Sequence, residues 1–277
     1  MLQWYIIRNL IKSAIEEDVG AGDVTTAAAL TGEETGSARA LAKADLVAAG
    51  IDVFREAFLY VDSRIRFEGR KRDGDFVAKG ECLAEISGNL NGILTAERVA
   101  LNLLQRMCGI STLTRRYVDE IKGTKARILD TRKTAPGLRL FDKYAVRVGG
   151  GHNHRLGLYD GVLIKDNHIA AAGGISKALA RVRAHLPHIL KIEIEVKNQK
   201  ELREAIDSGA DVIMLDNMSL ADIKEAVAVT GGRVPLEVSG NVTLVNVKAI
   251  AETGVDFISV GALTHSVAAS DISLKIE

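Results

Sequence analysis

The sequence predicts an α/β protein in which a mixed part of helices and strands is followed by a part of alternating strands and helices. From about residue 128 onward, short apolar runs recur every 20 to 33 residues, and helix-like segments lie between them. Upstream of about residue 110 this alternation is missing. Buried strands that alternate with helices indicate βαβ units and a parallel sheet, either a barrel or an open doubly wound sheet.

The first part opens with an amphipathic helix predicted for residues 3–17, which ends at a Gly- and Asp-rich segment, residues 18–23. Residues 73–88 alternate apolar and polar positions around Gly80, which predicts an antiparallel strand–turn–strand unit. Small domains that carry a modified lysine at a hairpin tip share this pattern. Lys79 lacks the small or Met neighbours of such a lysine, so two plain strands are the preferred interpretation.

The third segment of the first part, residues 95–122, has a helical pattern with Thr95 as the predicted N-cap. Arg98 then falls in the first turn, where the helix dipole disfavours a cation by about 0.3–1 kcal/mol. Either Glu97 or Glu120 compensates this charge, or an anionic ligand does. The position alone leaves both accounts open.

The second part contains six predicted strands, and a seventh could lie within residues 140–160. The six strands are residues 128–132, 161–165, 191–196, 211–216, 234–239 and 257–261. The predicted helices between them are residues 176–186, 198–208, 219–229 and 243–253. This spacing suits an α/β barrel as well as an open sheet.

The composition argues against several classes of function. Lys plus Arg (36) equal Asp plus Glu (36), so the chain lacks the basic excess of proteins that bind nucleic acid. No run of about 18 apolar residues is present, so we expect neither a membrane span nor a membrane partner. Cys82 and Cys108 form no metal-binding or disulfide pattern, which favours a reducing, cytoplasmic location.

The motifs of several common enzyme classes are also missing. The chain contains no Walker A sequence, no G-x-G-x-x-G after a strand and no G-x-S-x-G nucleophile turn. Cys108 ends an apolar helical pattern, so it is better explained as a core residue than as a nucleophile.

Nearly every predicted strand of the second part ends in a charged or very small residue. In parallel α/β sheets the active site lies at the carboxyl ends of the strands. One charged strand end is common at the border of a core, but six in succession are hard to explain in that way. The ends are Arg132 and Lys133, Lys165 and Asp166, Glu195, Asp216, the turn Ser239, Gly240 and Asn241, and Gly261.

The order of these strand ends predicts the ligands. The first two ends are basic and suit carboxylates, because Arg offers a matching fork and Lys a point charge. The next two are acidic and suit ribose hydroxyls or a hydrated Mg²⁺ beside a pyrophosphate. The last two are Gly-rich turns with free backbone N–H groups, which commonly bind phosphate in barrels. The order therefore predicts a site for a sugar phosphate and an acidic small molecule.

A run of three glycines, residues 149–151, leads into His152, Asn153, His154 and Arg155. This loop can approach a ligand closely and adds cationic side chains to the basic strand ends. His152 and His154 alone do not predict a metal site, because no third His or Cys is suitably spaced.

The motifs of the chain resemble those of quinolinate phosphoribosyltransferases, and the similarity extends from EEDVGAGDVTT (16–26) to the C-terminus. The block at 143–169 is long enough to make chance similarity negligible. The other segments are ERVALNLLQRMCGIST (97–112), TRKTAPGLR (131–139), IEIEV (192–196), VIMLDN (212–217), EVSGN (237–241) and ISVGALTH (258–265).

The resemblance implies an N-terminal α/β sandwich domain, residues 1–108, and an incomplete, about seven-stranded α/β barrel, residues 109–265. Residues 266–277 would join the first domain. It implies a homodimer in which Arg98 of one subunit reaches the barrel of the other. It also implies Mg²⁺ as cofactor, with quinolinate and phosphoribosyl pyrophosphate as substrates.

The resemblance also implies a role for individual residues. The residues implied for quinolinate are Arg98, Arg132, His154, Arg155 and Lys165, and Thr131 is a further residue implied for substrate binding. Those implied for the ribose, the pyrophosphate and Mg²⁺ are Lys133, Glu195 and Asp216. Those implied for the 5′-phosphate are Ser239, Gly240, Asn241, Val260, Gly261 and Ala262. The implied catalytic set is Lys133, His154, Lys165, Glu195 and Asp216, with His154, Lys165 or water as the proton source after decarboxylation.

Two other classes of function stay open at the level of sequence. A related transferase of the same fold, of the type associated with molybdate transport, would act on another acidic or heterocyclic acceptor. A non-catalytic phosphosugar-binding protein would bind its ligand without turnover. The basic set implied for quinolinate favours a dicarboxylate, and the presence of Glu195 and Asp216 favours an enzyme.

Overall fold

The computed structural model describes residues 4–277 and confirms the α/β class. The first elements are α1 (Trp4–Val19), α2 (Val24–Ala29), β1 (Thr35–Ala42), β2 (Leu46–Val47), α3 (Ile51–Val61), β3 (Arg66–Gly69), β4 (Phe76–Val77), β5 (Cys82–Asn89) and α4 (Leu90–Glu120). They are followed by β6 (Arg127–Leu129), α5 (Arg139–Val148), β7 (Val162–Ile164), α6 (Asp166–Ala172), α7 (Ile175–His185), β8 (Ile192–Val196), α8 (Gln199–Asp207), β9 (Val212–Asp216), α9 (Leu220–Thr230), β10 (Leu236–Ser239), α10 (Val247–Ala251), β11 (Phe257–Ser259), α11 (Ala262–His265) and β12 (Ile272–Ile276).

The helix predicted for residues 3–17 corresponds to α1, although residue 3 lies outside the described part of the chain. Its buried residues Ile7, Ile11 and Ile15 recur every four positions and form one apolar face. None of the helices within residues 4–277 is long and apolar enough to cross a membrane.

The chain forms two compact units. The first comprises residues up to Arg115 together with Thr134–Gly150 and Leu263–Glu277, and the second comprises Arg116–Lys133 and Gly151–Ala262. The C-terminal strand β12 belongs to the first unit, where it pairs antiparallel with β1.

The first unit contains a four-stranded antiparallel sheet in the order β12-β1-β5-β3. In β1 the alternate residues Ala38, Ala40 and Ala42 are fully buried, which is the period expected when one face of a strand covers a core. In α3, Phe54 and Phe58 are fully buried and their rings meet edge to face, with centroids 5.0 Å apart.

The strand–turn–strand prediction for residues 73–88 is correct for the turn and wrong for the pairing. The Glu81 N–H donates to the Ala78 carbonyl, and Gly80 has the positive φ of +91° that such a turn favours. However, β4 pairs with β2, whereas β5 pairs with β1 and β3. The eight-residue β5 matches the equally long β1, which the two-residue β4 cannot do.

The helix predicted to start at Thr95 starts five residues earlier, because α4 runs for 31 residues from Leu90. The Asn89 side-chain oxygen accepts hydrogen bonds from the backbone N–H groups of Asn91 (2.9 Å) and Gly92 (3.4 Å). Asn89 therefore satisfies the first free donors of the helix, and Thr95 lies in its interior.

The second unit contains six parallel strands in the order β6-β11-β10-β9-β8-β7, so all six predicted strands are present. Residues 140–160, where a seventh strand was expected, hold α5 and one isolated parallel bridge between Leu129 and His152. Glycines and polar residues surround His152, and without an apolar run only this single bridge forms.

The helices of the second unit begin soon after the strands that precede them. The side chain of Asn198 accepts from the Glu201 N–H at the start of α8, and that of Ser219 accepts from the Asp222 N–H at the start of α9. These caps keep the connections short, so the last residues of β8 and β9 stay at the edge of the sheet.

We predict that Asn89→Ala lowers the free energy of unfolding by about 1 kcal/mol, because the capping acceptor of α4 is lost. Asn102→Ala, the same change at an exposed position inside α4, serves as the control and should change stability by less than about 0.5 kcal/mol. Urea unfolding of both variants measures the difference. A loss for Asn89→Ala no larger than that for Asn102→Ala would contradict the capping role of Asn89.

Candidate active site

The strand ends selected from the sequence lie at one edge of the second unit's sheet, which we call the carboxyl edge. Parallel strands all end on the same side, so the residues after each strand gather there. Arg132 and Lys133 follow β6, and Lys165 follows β7 as the residue before α6. Glu195 lies near the end of β8, while Asp216 and Ser239 are the last residues of β9 and β10.

The acidic part of the carboxyl edge consists of Glu195 and Asp216. The Lys165 ammonium donates to a Glu195 oxygen at 2.9 Å, and the Glu195 side chain is 12% exposed against 47% for Lys165. The strand register places Asp216 beside Ser239. Each carboxylate has one oxygen bonded to a neighbour, Lys165 or Asn217, and a second oxygen of the kind that Mg²⁺ prefers as a ligand.

The turn after β10 is held by Asn217, a residue that the sequence interpretation did not select. The Asn217 amide donates to Asp216 at 3.0 Å, and its carbonyl oxygen accepts from the Asn241 amide at 3.0 Å. Asn217 and Asn241 both have a left-handed φ of 53°. A Cβ atom at Gly240 would lie 2.1 Å from the Asn217 side chain, so glycine is required there.

The remaining turn of the predicted phosphate site follows β11. The Val260 N–H donates to the Leu129 carbonyl at 2.9 Å, which fixes this turn to β6. Val260 is buried, while Gly261 and Ala262 are partly exposed at the start of α11. The exposed part of the turn is thus glycine and alanine, which leave room for a ligand close to the backbone.

The basic part of the carboxyl edge depends on a buried carboxylate that the sequence interpretation also passed over. Asp130 is fully buried. It accepts hydrogen bonds from the Asn153 amide at 2.6 Å and from the His154 N–H at 2.8 Å. The Asp130 N–H in turn donates to the His152 carbonyl at 3.1 Å. These bonds tie the segment of residues 152–154 to the end of β6.

Arg132 and Arg155 lie close enough to repel one another. Burial, and next the positive charge of Arg132, lower the pKa of Arg155 from its ordinary value. One Arg155 nitrogen donates to the Gly161 carbonyl at 3.0 Å, while its Nε is buried without an acceptor among the described residues. Two neighbouring guanidinium groups with a buried donor form a site that favours an anion with more than one negative charge.

The side chain of His154 is mostly buried and both of its ring nitrogens have partners. Its Nδ1 lies 2.7 Å from the Arg155 backbone nitrogen, and its Nε2 lies 2.8 Å from a Glu193 oxygen. A backbone N–H can only donate, so Nδ1 is the acceptor and the ring hydrogen sits on Nε2. His154 therefore donates to Glu193.

A second carboxyl group, Glu237, lies beside Glu193 and is almost fully buried. Burial, and next the negative charge of Glu193, raise the pKa of Glu237 well above its usual range. Its Oε1 accepts a hydrogen bond from Ser259 at 2.5 Å. The raised pKa favours the protonated form of Glu237, which can donate to Glu193, whose buried Oε1 has no other donor among the described residues.

His154, Glu193 and Glu237 place their ligand-type atoms within 4.8 Å of one another, the spacing of a metal site. A cation would need the lone pair of Nε2, but the hydrogen of His154 sits on that nitrogen. The other ring form would set an Nδ1–H against the Arg155 N–H. The geometry thus favours a hydrogen-bonded cluster over a metal centre, and the backbone of His152 forms the bridge to Leu129.

Arg98 belongs to the first unit, whereas the residues of the carboxyl edge belong to the second. Arg98 lies in the interior of α4, so the prediction that it occupies the first turn of a helix was wrong. Its side chain is 58% exposed, and Glu97 lies 3.8 Å from its guanidinium. Of the two sequence-based accounts for its charge, a neighbouring glutamate is the one observed within the subunit.

The carboxyl edge thus combines paired guanidinium groups, two carboxylates and two turns of small residues on a parallel α/β sheet. This combination defines the class of protein as one that binds a phosphorylated sugar together with an acidic small molecule.

The family model for the quinolinate phosphoribosyl transferase N-terminal domain matches residues 23–108, and the one for the C-terminal domain matches residues 110–275. The chain belongs to the quinolinate phosphoribosyltransferase family.

Individual relatives are similar over nearly the whole chain. A protein of Bacillus subtilis named probable nicotinate-nucleotide pyrophosphorylase (carboxylating) is 44% identical over 98% of this chain and 93% of its own length. The chloroplastic nicotinate-nucleotide pyrophosphorylase (carboxylating) of Arabidopsis thaliana is 46% identical over 99% of this chain and 83% of its own length. The crystal structure of NadC from Streptococcus pyogenes is 40% identical, with a TM-score of 0.96 over 100% of this chain and 98% of that one.

We predict that Glu237→Gln changes how stability depends on pH. The pKa of Glu237 is raised on folding, so the folded protein keeps a proton that the unfolded chain has already released. The stability that Glu237 contributes is fully present below its pKa in the unfolded chain. It falls by up to about 1.4 kcal/mol per pH unit as pH rises toward its pKa in the folded protein. As pH rises above about 4.3, the ordinary pKa of a glutamic acid, the variant should therefore gain stability relative to the wild type.

Urea unfolding at several pH values measures this difference. Glu225→Gln, at an exposed position on α9, is the matched control and should leave the pH dependence unchanged. Wild type and Glu237→Gln curves that stay parallel across the range would mean that Glu237 is ionised in the folded protein.

Proposed function

We propose that this chain transfers the phosphoribosyl group of phosphoribosyl pyrophosphate to quinolinate. The transfer releases pyrophosphate, and loss of carbon dioxide from the coupled product then gives nicotinate mononucleotide, a step in the de novo synthesis of NAD. Family membership supports this activity, as do relatives named for the same reaction. The structural observation that carries it is the guanidinium pair of Arg132 and Arg155, whose mutual repulsion a bound dianion would relieve.

The acceptor half of the proposed site is basic. Quinolinate carries two adjacent carboxylates, and a dicarboxylate neutralises the repulsion between Arg132 and Arg155. Lys165 adds a third cation, and it sits on the next strand end beside Glu195. Thr131 donates no charge but orients the turn, since its hydroxyl accepts from the Lys133 N–H at 3.0 Å.

The donor half of the proposed site is acidic with phosphate-binding turns. We assign the ribose hydroxyls to Glu195 and Asp216, the 5′-phosphate to the turns at residues 239–241 and 260–262, and the pyrophosphate to Lys133. Glu195 and Asp216 would also hold Mg²⁺, directly or through water, which when bound neutralises charge on the pyrophosphate. Their oxygen chemistry fits that ion.

The coupling step requires positioning more than proton transfer. The pyridine nitrogen of quinolinate has its own lone pair, so no general base is needed to create the nucleophile. As pyrophosphate leaves, positive charge develops on the ribose, and the carboxylates of Glu195 and Asp216 stabilise it. Lys133 stabilises the negative charge of the leaving pyrophosphate.

The decarboxylation step uses the ring nitrogen, which is quaternary after coupling and draws electrons from C2. Carbon dioxide leaves, and the carbanion at C2 takes a proton. We assign this proton to Lys165, because its ammonium carries three hydrogens and only one bond to Glu195 is observed. His154 is less suited, because its one ring hydrogen already donates to Glu193.

We propose further that the working form is a cytoplasmic homodimer in which each site receives Arg98 from the neighbouring subunit. The exposed guanidinium of Arg98 on α4 supports this role. Both cysteines are free thiols, as expected in a reducing compartment.

The proposed activity is tested by release of carbon dioxide from quinolinate labelled in its C2 carboxyl group. We expect release only when phosphoribosyl pyrophosphate and Mg²⁺ are both present, with nicotinate mononucleotide as the product. Binding of phosphoribosyl pyrophosphate without release would refute quinolinate as the acceptor. It would point instead to another acidic acceptor or to a non-catalytic phosphosugar-binding protein.

We predict that Arg132→Ala lowers kcat/KM for quinolinate by at least about 100-fold, or about 3 kcal/mol, because one carboxylate loses its partner. Arg203→Ala, an exposed position on α8, is the control and should stay within about twofold. Steady-state kinetics in both substrates measures the effect. A change of less than about threefold for Arg132→Ala would remove this residue from the acceptor site.

A second prediction concerns the shared site. Arg98→Ala and Lys165→Ala should each be nearly inactive, but a refolded equal mixture should recover about a quarter of wild-type activity. Half of the dimers in such a mixture are mixed, and each mixed dimer holds one site with neither substitution. Recovery below about one-twentieth, with dimers present by light scattering, would show that Arg98 does not act across the interface.

A further inference from the structure

His154 is held in a chain of hydrogen bonds that runs from the interior of the second unit's sheet to the carboxyl edge. Ser259 donates to Glu237, Glu237 lies beside Glu193, and Glu193 accepts from His154 Nε2. His154 Nδ1 then accepts from the Arg155 backbone N–H. The chain therefore ends on the main chain of a residue that carries one of the paired guanidinium groups.

The bonds of His154 leave little room for direct contact with a ligand through a ring nitrogen. Its side chain is only 14% exposed. A ligand that accepted from Nε2 would displace Glu193, and the buried carboxylate of Glu193 would lose its partner. A ligand that donated to Nδ1 would displace the Arg155 N–H. Each replacement leaves a buried polar group without its bond, which costs about 1–3 kcal/mol.

The imidazole can hold Arg155 only in one ring form. With the hydrogen on Nε2, the ring donates to Glu193 and accepts from Arg155. With the hydrogen on Nδ1, two donors would face each other at Arg155 and two acceptors would face each other at Glu193. The acceptor at Glu193 therefore selects the ring form that Arg155 requires.

We propose that Glu193 is a positioning residue that fixes the ring form of His154 and, through it, the placement of Arg155 for binding the acceptor carboxylate. Glu237 lies beside Glu193 in the interior of the sheet and helps to hold the Glu193 side chain in place. His154 then acts on the acceptor through Arg155. The link to acceptor binding rests on the proposed function, whereas the fixed ring form is a property of the free protein.

Kinetics of two substitutions test the positioning role. Glu193→Gln keeps an oxygen that can accept from Nε2, so we expect kcat/KM for quinolinate to stay within about threefold. Glu193→Leu removes the acceptor, and we expect a loss of about 10- to 100-fold, because misplacing a binding group by a fraction of an ångström has effects of this size. KM for phosphoribosyl pyrophosphate should change by less than about threefold in both variants.

The matched control is Glu225→Leu, at an exposed position on α9, which should change neither constant. An equal loss in Glu193→Gln and Glu193→Leu, or an equal rise in both KM values, would overturn the positioning role. General damage to the fold would produce that pattern too, and so a second measurement on the free protein is needed.

The second measurement is ¹⁵N NMR of the histidine side chains in the free wild type and in Glu193→Gln, with His154 assigned by its loss in His154→Gln. We expect one protonated nitrogen, Nε2, and one unprotonated nitrogen, Nδ1, in both proteins. Signals of the opposite ring form, or of a mixture, in the wild type would overturn the proposal whatever the kinetics show.

The two readouts separate this proposal from the proposed function. If labelled quinolinate releases no carbon dioxide but His154 shows the Nε2–H form, the acceptor assignment fails while the ring form stands. If carbon dioxide is released and His154 shows the other form, the enzyme activity stands and the role of Glu193 fails.

Discussion

The carboxylate of Asp130 is the interaction on which the basic half of the carboxyl edge depends. It is fully buried, it follows β6 directly, and it accepts hydrogen bonds from Asn153 and from the backbone of His154. A regular strand would hold such a segment by a ladder of backbone bonds, but only one bridge forms at His152. The hydrogen bonds of the Asp130 side chain hold the segment in place of such a ladder. The residues after His152 can therefore turn toward the carboxyl edge.

This arrangement separates charge within a chain whose net charge is zero. The paired guanidinium groups lie on segments tied together by Asp130, whereas Glu195 and Asp216 lie on β8 and β9. The ion pair between Lys165 and Glu195 lies where the two kinds of charge meet. The proposed reaction joins a dicarboxylate acceptor to a ribosyl donor, and the basic and acidic residues that we assign to them lie at one edge of the same parallel sheet.

The sequence predicted the six parallel strands and the residues at their ends, because buried strands read as apolar runs and their last residues break the pattern. The predicted start of α4 was wrong, because a glycine such as Gly92 usually destabilises a helix. In the fold, a Cβ atom at this position would lie 3.1 Å from that of Asp62, so glycine permits a close approach there. It mispaired β4 and β5 because alternation reveals a strand but not its partner.

The parts of the site that the sequence did not reveal are polar residues inside apolar runs. Glu193 and Glu237 sit within β8 and β10, where a carboxyl group reads as an interruption of the core. Glu193 lies 39 residues and Glu237 lies 83 residues after His154 in the chain. Their roles depend on all three residues meeting in the fold, which no local pattern records. Asn217 ends the VIMLDN motif (212–217), but its two amide bonds exist only once β9 and β10 lie side by side, so the motif alone does not reveal its role.

The left-handed turns at Asn217 and Asn241 have a consequence for the turn that we propose as part of the 5′-phosphate site. Conformations of this kind are sparsely populated in a free chain, and the close approach of Gly240 to Asn217 fixes them in the folded one. The loss of backbone freedom therefore occurs once, when the sheet folds, and is not repeated when a ligand arrives. Preorganisation of this kind lowers the entropic cost of binding a ligand at the turn. It also couples positions 217 and 240, because the Asn217 side chain fills the space that a side chain at position 240 would need.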